Sequence, residues 1–216
     1  LQSHQRYFQA LANGYFDDEI VPIETPRGLV TADEQPRRDT TLSALAALQP
    51  VYGGPTVTAG NAPGLNDGAA ALLLASSEAV AEHGATPLAR IHSHLQTAGG
   101  PTSSVYLPGI AIGRLLTQAG LNASDVDVIE INEAYAATAV VSVKTLAAGD
   151  VSLEKQLAGR TNINGGAVAI GHPTGASGAR VVLTAARQLK HSGGRWAVAA
   201  ICGGFGQTDA VLIEAV

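Results

Sequence analysis

From Gly68 onward the chain alternates short apolar, often β-branched runs with segments whose apolar positions recur at helical spacing, and Gly, Asn and Pro punctuate the joins. This rhythm confines the region to an α/β arrangement, in which strands form a sheet and the intervening helices cover it. Ala69 to Ala75 is a continuous apolar run and reads as a buried strand; Ser76 to His83 follows as a helix capped by Ser76 and closed at Gly84. Leu88 to Gln96 reads as a strand, Pro108 to Ala119 as a helix, Val126 to Ile131 as a strand and Ala134 to Leu146 as an apolar helix. A Gly-rich loop from Asn164 to Gly178 precedes a helix from Ser177 to Lys190, and two strands, Trp196 to Ile201 and Asp209 to Ile213, flank a Gly-rich turn.

Upstream the pattern differs. Gln2 to Asn13 reads as a helix ended at Gly14, whereas Asp17 to Gly54 holds Pro22, Pro26, Pro36 and Pro50 and reads as an irregular surface lobe with one short helix, Thr41 to Leu48. Hydrophobic residues make up 46% of the 216 positions and charged residues 14%, so burial can offset chain entropy and a disordered chain is excluded. The net charge of −5 comes without any concentration of Lys and Arg, so nothing supports a nucleic-acid or membrane-surface partner. No run reaches the roughly 18 apolar residues of a membrane span, the opening residues do not form a signal peptide, and a cytoplasmic setting is expected. Cys202 is the one cysteine, which leaves no internal disulfide and no cysteine-based zinc site. The chain opens on Leu1 and contains no methionine, as a processed product or a fragment would.

Reactive side chains gather at three turns where a strand or loop meets the next element, the usual address of α/β sites: Asn132-Glu133-Ala134, Gly171-His172-Pro173 and Cys202-Gly203-Gly204-Phe205-Gly206. Each has a plain alternative. Asn132 fits a helix N-cap, His172 a turn with a satisfied ring, and Cys202 a core filler after an apolar strand. Gly166 to Gly171 has the glycine spacing of a phosphate loop, but His172 stands where lysine belongs, and Gly175 to Ala179 lacks a serine-hydrolase elbow's second glycine position. His92 and His94 share one side of a strand, yet no third ligand accompanies them and no metal is expected. The acidic string Asp125, Asp127, Glu130 and Glu133 reads as a solvated or pairing face, and Glu133, beside Asn132, is its one member that stands out as a candidate.

Together the turns carry more. The sixteen residues from Gly165 to Arg180, with Gly171-His172-Pro173 at their centre, closely resemble the histidine signature of the thiolases. Asn132-Glu133-Ala134-Tyr135-Ala136 and the Cys202 turn match further signatures in the same order, and Thr58 to Ala70 resembles the segment that returns from the family's loop domain to its core. The resemblance implies a thiolase-like layered α/β fold, here a C-terminal half with a five-stranded mixed sheet flanked by helices, plus part of an irregular loop domain. It divides the chain into 1–67, loop domain and connection, and 68–216, C-terminal domain, without the domain that carries the family's nucleophilic cysteine.

The resemblance also implies acyl exchange between coenzyme A and a cysteine, either thiolytic cleavage of a 3-ketoacyl-CoA, as in β-oxidation and fatty acid metabolism, or condensation of two acyl-CoA molecules. Coenzyme A enters as substrate and no cofactor is implied. His172 would activate the missing thiol and donate to the thioester oxyanion, Asn132 would hold a water as second donor, Cys202 would move the α-proton, and Gly204 would offer a backbone N–H to a second oxyanion. Arg37 matches a position beside the coenzyme's nucleotide end, and Leu48, Tyr52, Ala59, Leu65, Ala134 and Tyr135 match the lining of the pantetheine tunnel. Expected partners are acyl-CoA, a first half bearing the nucleophile, and further copies in a homodimer or tetramer. Alone, the chain is expected to be inactive. Pro63 and Phe205 depart from the family pattern, and Phe205 either narrows the acyl pocket or packs beneath its turn. The alternative is a non-catalytic thiolase-like lobe that binds coenzyme A or serves assembly.

Overall fold

The computed structural model describes all 216 residues. They divide into two compact units, the first made of residues 1–66, 133–136 and 162–172, the second of 67–132, 137–161 and 173–216.

In the first unit, helix α1 (Gln2–Ala12) buries Ser3, His4, Tyr7 and Ala10, one stripe at helical spacing. It ends at Asn13, and Gly14 takes φ +70°, a left-handed conformation that reverses the chain without a side-chain clash. Tyr7 stacks on Phe16 at 5.0 Å and meets Phe8 edge-on, and these residues pack with Ala10 and Ala169. Burial, and then the nearby Asp33, push the Tyr7 hydroxyl up to about 12. The segment read as irregular contains a small antiparallel hairpin, β1 (Ile23–Thr25) and β2 (Gly28–Val30), and the short helix α2 (Leu42–Ala46), capped by the Thr41 hydroxyl. The hairpin was hidden because its strands are three residues long and mostly exposed, so they leave no apolar alternation.

The second unit contains α3 (Ser77–Glu82), β3 (Arg90–Ala98), α4 (Leu107–Gln118), β4 (Val128–Ile131), α5 (Ala136–Ala147, of which Ala136 belongs to the first unit), α6 (Val151–Arg160), α8 (Ser177–Ser192), β5 (Trp196–Gly203) and β6 (Gln207–Glu214). The intervening short helix α7 (Ala167–Ile170) belongs to the first. Four strands form a mixed sheet in the order β3-β6-β5-β4, antiparallel except for the β4–β5 pair, whose register sets Val128 beside Ala197 and Ile131 beside Ala200. Ile129, Ile131, Val198, Ala200, Ala210 and Leu212 turn to one face, against Ile112, Leu115 and Leu116 of α4, Val143 of α5 and Leu157 of α6. Val128, Ala197, Ala199 and Ile213 turn to the other, against Val181, Ala185 and Leu189 of α8. Each buried aliphatic side chain contributes about 1.5–3 kcal/mol relative to exposure. Helices thus cover both faces of the sheet in this unit, a layered α/β arrangement.

Two expectations change. The sheet has four strands rather than five, because Ala69 to Ala75 pairs with no strand: Leu73 is 97% exposed and β3 remains an edge. An apolar run becomes a strand only with a partner for its backbone groups and cover for its side chains, and 69–75 has neither. The acidic string is not a uniform outer face, since Glu130 and Glu133 are buried. Asp127 instead accepts the backbone N–H groups of Arg195 and Trp196 at 2.7 and 3.0 Å, seating the start of β5. His92 lies at a register shift of β3 and meets the Trp196 ring edge-on at 5.2 Å, and no cluster of three metal-ligating residues exists.

Candidate active site

The expected site residues fall into two groups, one in each unit. In the second unit, parallel pairing brings the C-terminal ends of β4 and β5 side by side, where open α/β sheets hold their ligands. Asn132 follows β4 directly, is fully buried, and donates its backbone N–H to the carbonyl of Ala200 at 2.9 Å. Cys202 lies two residues past Ala200 on β5, opposite the buried Thr208 of β6. Pairing thus brings Asn132 to the strand end that carries Cys202. Asn132 is not a helix N-cap, since α5 begins only at Ala136.

Cys202 is half-buried, and desolvation pushes its thiol above the ordinary 9.0, against a smaller opposing effect from a backbone hydrogen bond. The sulfur therefore rests as a protonated thiol at neutral pH, suited to hold and return a proton rather than to attack unaided. The turn beyond it is set by backbone: Gly206 takes φ +77°, accepts the N–H of Gly99 at 2.8 Å, and has no room for a Cβ against the Gly100 carbonyl. Gly204 differs, because a Cβ there would meet no atom within 4 Å. Its missing side chain serves no internal packing and leaves open space beside its backbone. Phe205 is 92% exposed at φ +63°, so packing beneath the turn is excluded.

In the first unit, His172 follows Gly171 at the end of α7 and donates its backbone N–H to the carbonyl of Gly64 at 3.1 Å. Gly171 takes φ +93°, and the side chain of Asn66 fills the place where its Cβ would stand. Leu65, between these two contacts, is 93% exposed. Leu48 packs over Gly60, where an added Cβ would lie 2.7 Å from Leu48 Cδ1, which places Leu48 beside the segment of Ala59. The carbonyl of Asn61 accepts the N–H of Ala136 at 2.8 Å, which ties that segment to Ala134 and Tyr135. Tyr52 stands at a bend held by Val51 donating to Val57 at 2.7 Å, and its ring is 80% exposed. Arg37 is exposed and donates its backbone N–H to His4 Nδ1 at 3.1 Å, and the nearby Gln35 reaches Gly64. These contacts join the segments of Leu48 and Ala59, of Ala59 and Ala134–Tyr135, and of Leu65 and His172.

Four residues outside the expected set take part. Glu133 and Ser3 hold the loop before α7, Asn66 covers Gly171, and His4 holds Arg37. Glu133 stands out in the sequence by its place beside Asn132; Ser3 and His4 lie in a segment that reads only as a helix.

Residues 85–215 match the family model described as the thiolase C-terminal domain, and residues 1–78 match the thiolase N-terminal domain model. The chain is 50% identical over its full length to a beta-ketoadipyl-CoA thiolase of Pseudomonas aeruginosa, of which it covers 54%. It is 43% identical over 99% of its length to the mitochondrial 3-ketoacyl-CoA thiolase of Homo sapiens, of which it covers 53%. Among solved structures it is similar to the Bacillus anthracis acetyl-CoA acetyltransferase, with a TM-score of 0.89 and 39% identity over all of this chain and 54% of that one. It is also similar to human mitochondrial 3-ketoacyl-CoA thiolase in complex with CoA, with a TM-score of 0.85, 38% identity, and coverage of 100% and 53%. The chain spans about half the length of the curated relatives it matches.

Proposed function

The chain belongs to the thiolase family, and from that premise we propose that it supplies the histidine, asparagine and acid/base-cysteine half of an acyl-CoA acyltransferase acting on a 3-ketoacyl-CoA. The observation that carries the reading is the register of β4 and β5, which brings Asn132 to the strand end bearing Cys202.

In the proposed cleavage a thiolate attacks the 3-keto carbonyl, the C2–C3 bond breaks as acetyl-CoA leaves through its thioester enolate, and coenzyme A then takes the acyl group from the sulfur. His172 takes the attacking thiol's proton and donates an N–H to the oxyanion, and Asn132 adds a neutral donor through a water. Cys202 removes or returns the α-proton, and the Gly204 N–H donates to a second oxyanion. Arg37 faces the nucleotide end of coenzyme A, and the surface of Leu48, Tyr52, Ala59, Leu65, Ala134 and Tyr135 takes the pantetheine. The reaction needs an attacking sulfur besides the acid/base thiol of Cys202, whereas these 216 residues hold one cysteine. We therefore assign residues 1–67 to a loop domain, 68–216 to the second catalytic domain, and the attacking cysteine to a first half of the enzyme outside these residues. Assembly as a dimer or tetramer belongs to the same reading.

The test is thiolysis of acetoacetyl-CoA by coenzyme A. The chain alone should stay at background, and adding the cysteine-bearing first half of a thiolase should produce turnover. The lone cysteine favours one second reading, a lobe that binds coenzyme A without turnover. Binding by calorimetry with no activity after reconstitution would establish it.

A further inference from the structure

Helix α7 is four residues long and its N-cap, Gly166, has no side chain with which to cap it. The backbone N–H groups at its start still need acceptors. Glu133, 35 residues earlier in the chain, supplies one: its Oε2 accepts the N–H of Val168 at 2.9 Å. The same oxygen accepts the hydroxyl of Ser3 at 2.8 Å, and that hydroxyl in turn accepts the N–H of Gly166 at 2.9 Å. Carboxylate and serine are both at least nine-tenths buried. The loop has no slack around them. A Cβ on Gly166 would stand 2.6 Å from Glu133 Oε2, and one on Gly165 would stand 2.7 Å from the Ser3 carbonyl. At the other end of α7, Asn66 fills the space over Gly171, and the His172 N–H is held by Gly64.

We propose that Glu133, acting with Ser3, is a positioning residue for His172. The carboxylate clamps the start of α7 to α1, and because α7 is a single rigid turn, its far end at Gly171 fixes where the His172 ring stands. Negative charge at a helix start is also the favourable sign for the local backbone dipoles. The inference rests on His172 acting in acyl transfer as proposed above; the clamp itself can be measured without it.

Hydrogen exchange on the full 216-residue chain tests the clamp. Glu133→Ala should speed exchange at Val168 and Gly171 by about ten- to a hundredfold, as loss of a charged hydrogen bond does, while Ala199 and Leu212 in the sheet keep their protection. Glu133→Gln retains an acceptor oxygen and should restore most of the protection. Unchanged exchange at Val168 and Gly171 in folded Glu133→Ala overturns the proposal. If that variant does not fold, Ser3→Ala decides: faster exchange at Gly166 and Val168 supports the clamp, and unchanged exchange overturns it. In the reconstituted acyl-transfer assay Glu133→Ala should lower kcat about ten- to a hundredfold, as misplacement of a reacting group does. KM for coenzyme A should stay within about twofold, with kcat rescued by Glu133→Gln. Unaltered kcat overturns the positioning role. His172→Ala separates the two layers: full turnover there refutes the functional reading and leaves the exchange result standing, whereas loss of turnover with a silent Glu133→Ala refutes the positioning alone.

Discussion

The ring of His4 accepts the backbone N–H of Arg37 through Nδ1 at 3.1 Å, joining α1 to the segment that carries the candidate nucleotide-end cation. Only a neutral ring protonated on Nε2 can do this. Burial first, then neighbouring positive charge including Arg37, holds the His4 pKa below 6.5, against a smaller pull from Glu133. The unfolded chain therefore takes up the proton first as pH falls. Stability from the neutral ring is complete above 6.5 and is lost as pH drops through the folded value. Exchange at Arg37 should accelerate relative to the sheet amides between pH 7 and pH 5, and His4→Gln should remove that pH dependence. An Arg37 amide indifferent to pH in the wild type would contradict the bond.

Cys202 should alkylate slowly at neutral pH. Because its thiol lies above 9.0 in the folded chain, the rate of reaction with iodoacetamide should rise with a midpoint above that in denaturant. The raised value also means that the thiol's contribution to stability is present below the unfolded value and is lost as pH rises through the folded one. A midpoint well below the denatured chain's would identify Cys202 as an activated nucleophile and reverse its assigned role.

Gly109 of α4 lies directly against α5, and a Cβ there would overlap the carbonyl oxygen of Ser142. Gly109→Ala should force the helices apart and lower stability by about 1–3 kcal/mol, the usual range for overpacking. Gly113→Ala, one turn on, meets only Leu146 Cδ1 at 3.5 Å and should raise stability by up to about 1 kcal/mol through helix propensity. Urea melts of the pair check the contrast; equal effects would show that the close approach is not real.

Phe205 is exposed in a left-handed conformation, which costs a non-glycine residue about 1–2 kcal/mol. Phe205→Gly should therefore raise the Tm or leave it unchanged. A fall of several degrees would mean that the ring is packed. If the ring also borders the acyl group in the reconstituted enzyme, the same variant should gain relative activity on a six-carbon ketoacyl-CoA.

What could be read from the sequence followed from local pattern. α1, α3 and α4 lie within a few residues of where apolar spacing and the stops at Gly14, Gly84 and Gly120 place them, and α8 lies where apolar spacing places it. α6 was missed although its signals were present: Asp150 caps the N–H groups of Ser152 and Leu153, and Leu153 and Leu157 are spaced for one face. Ala69 to Ala75 shows the limit of composition, since strand formation depends on a pairing partner that no local pattern records. The same holds at the site. Asn132, His172 and Cys202 stand out by their turns, but the hydrogen bond from Ser3 to Glu133 spans 130 positions, and a serine on a helix carries no mark of it.

The most direct measurement is single-turnover labelling with acetyl-CoA carrying a radioactive acetyl group, using this chain mixed with a thiolase first half. The label should appear on the first half, persist with Cys202→Ser, vanish with His172→Ala, and never attach to this chain alone. Stable label on Cys202 of the isolated chain, or undiminished labelling with His172→Ala, would contradict the division of roles.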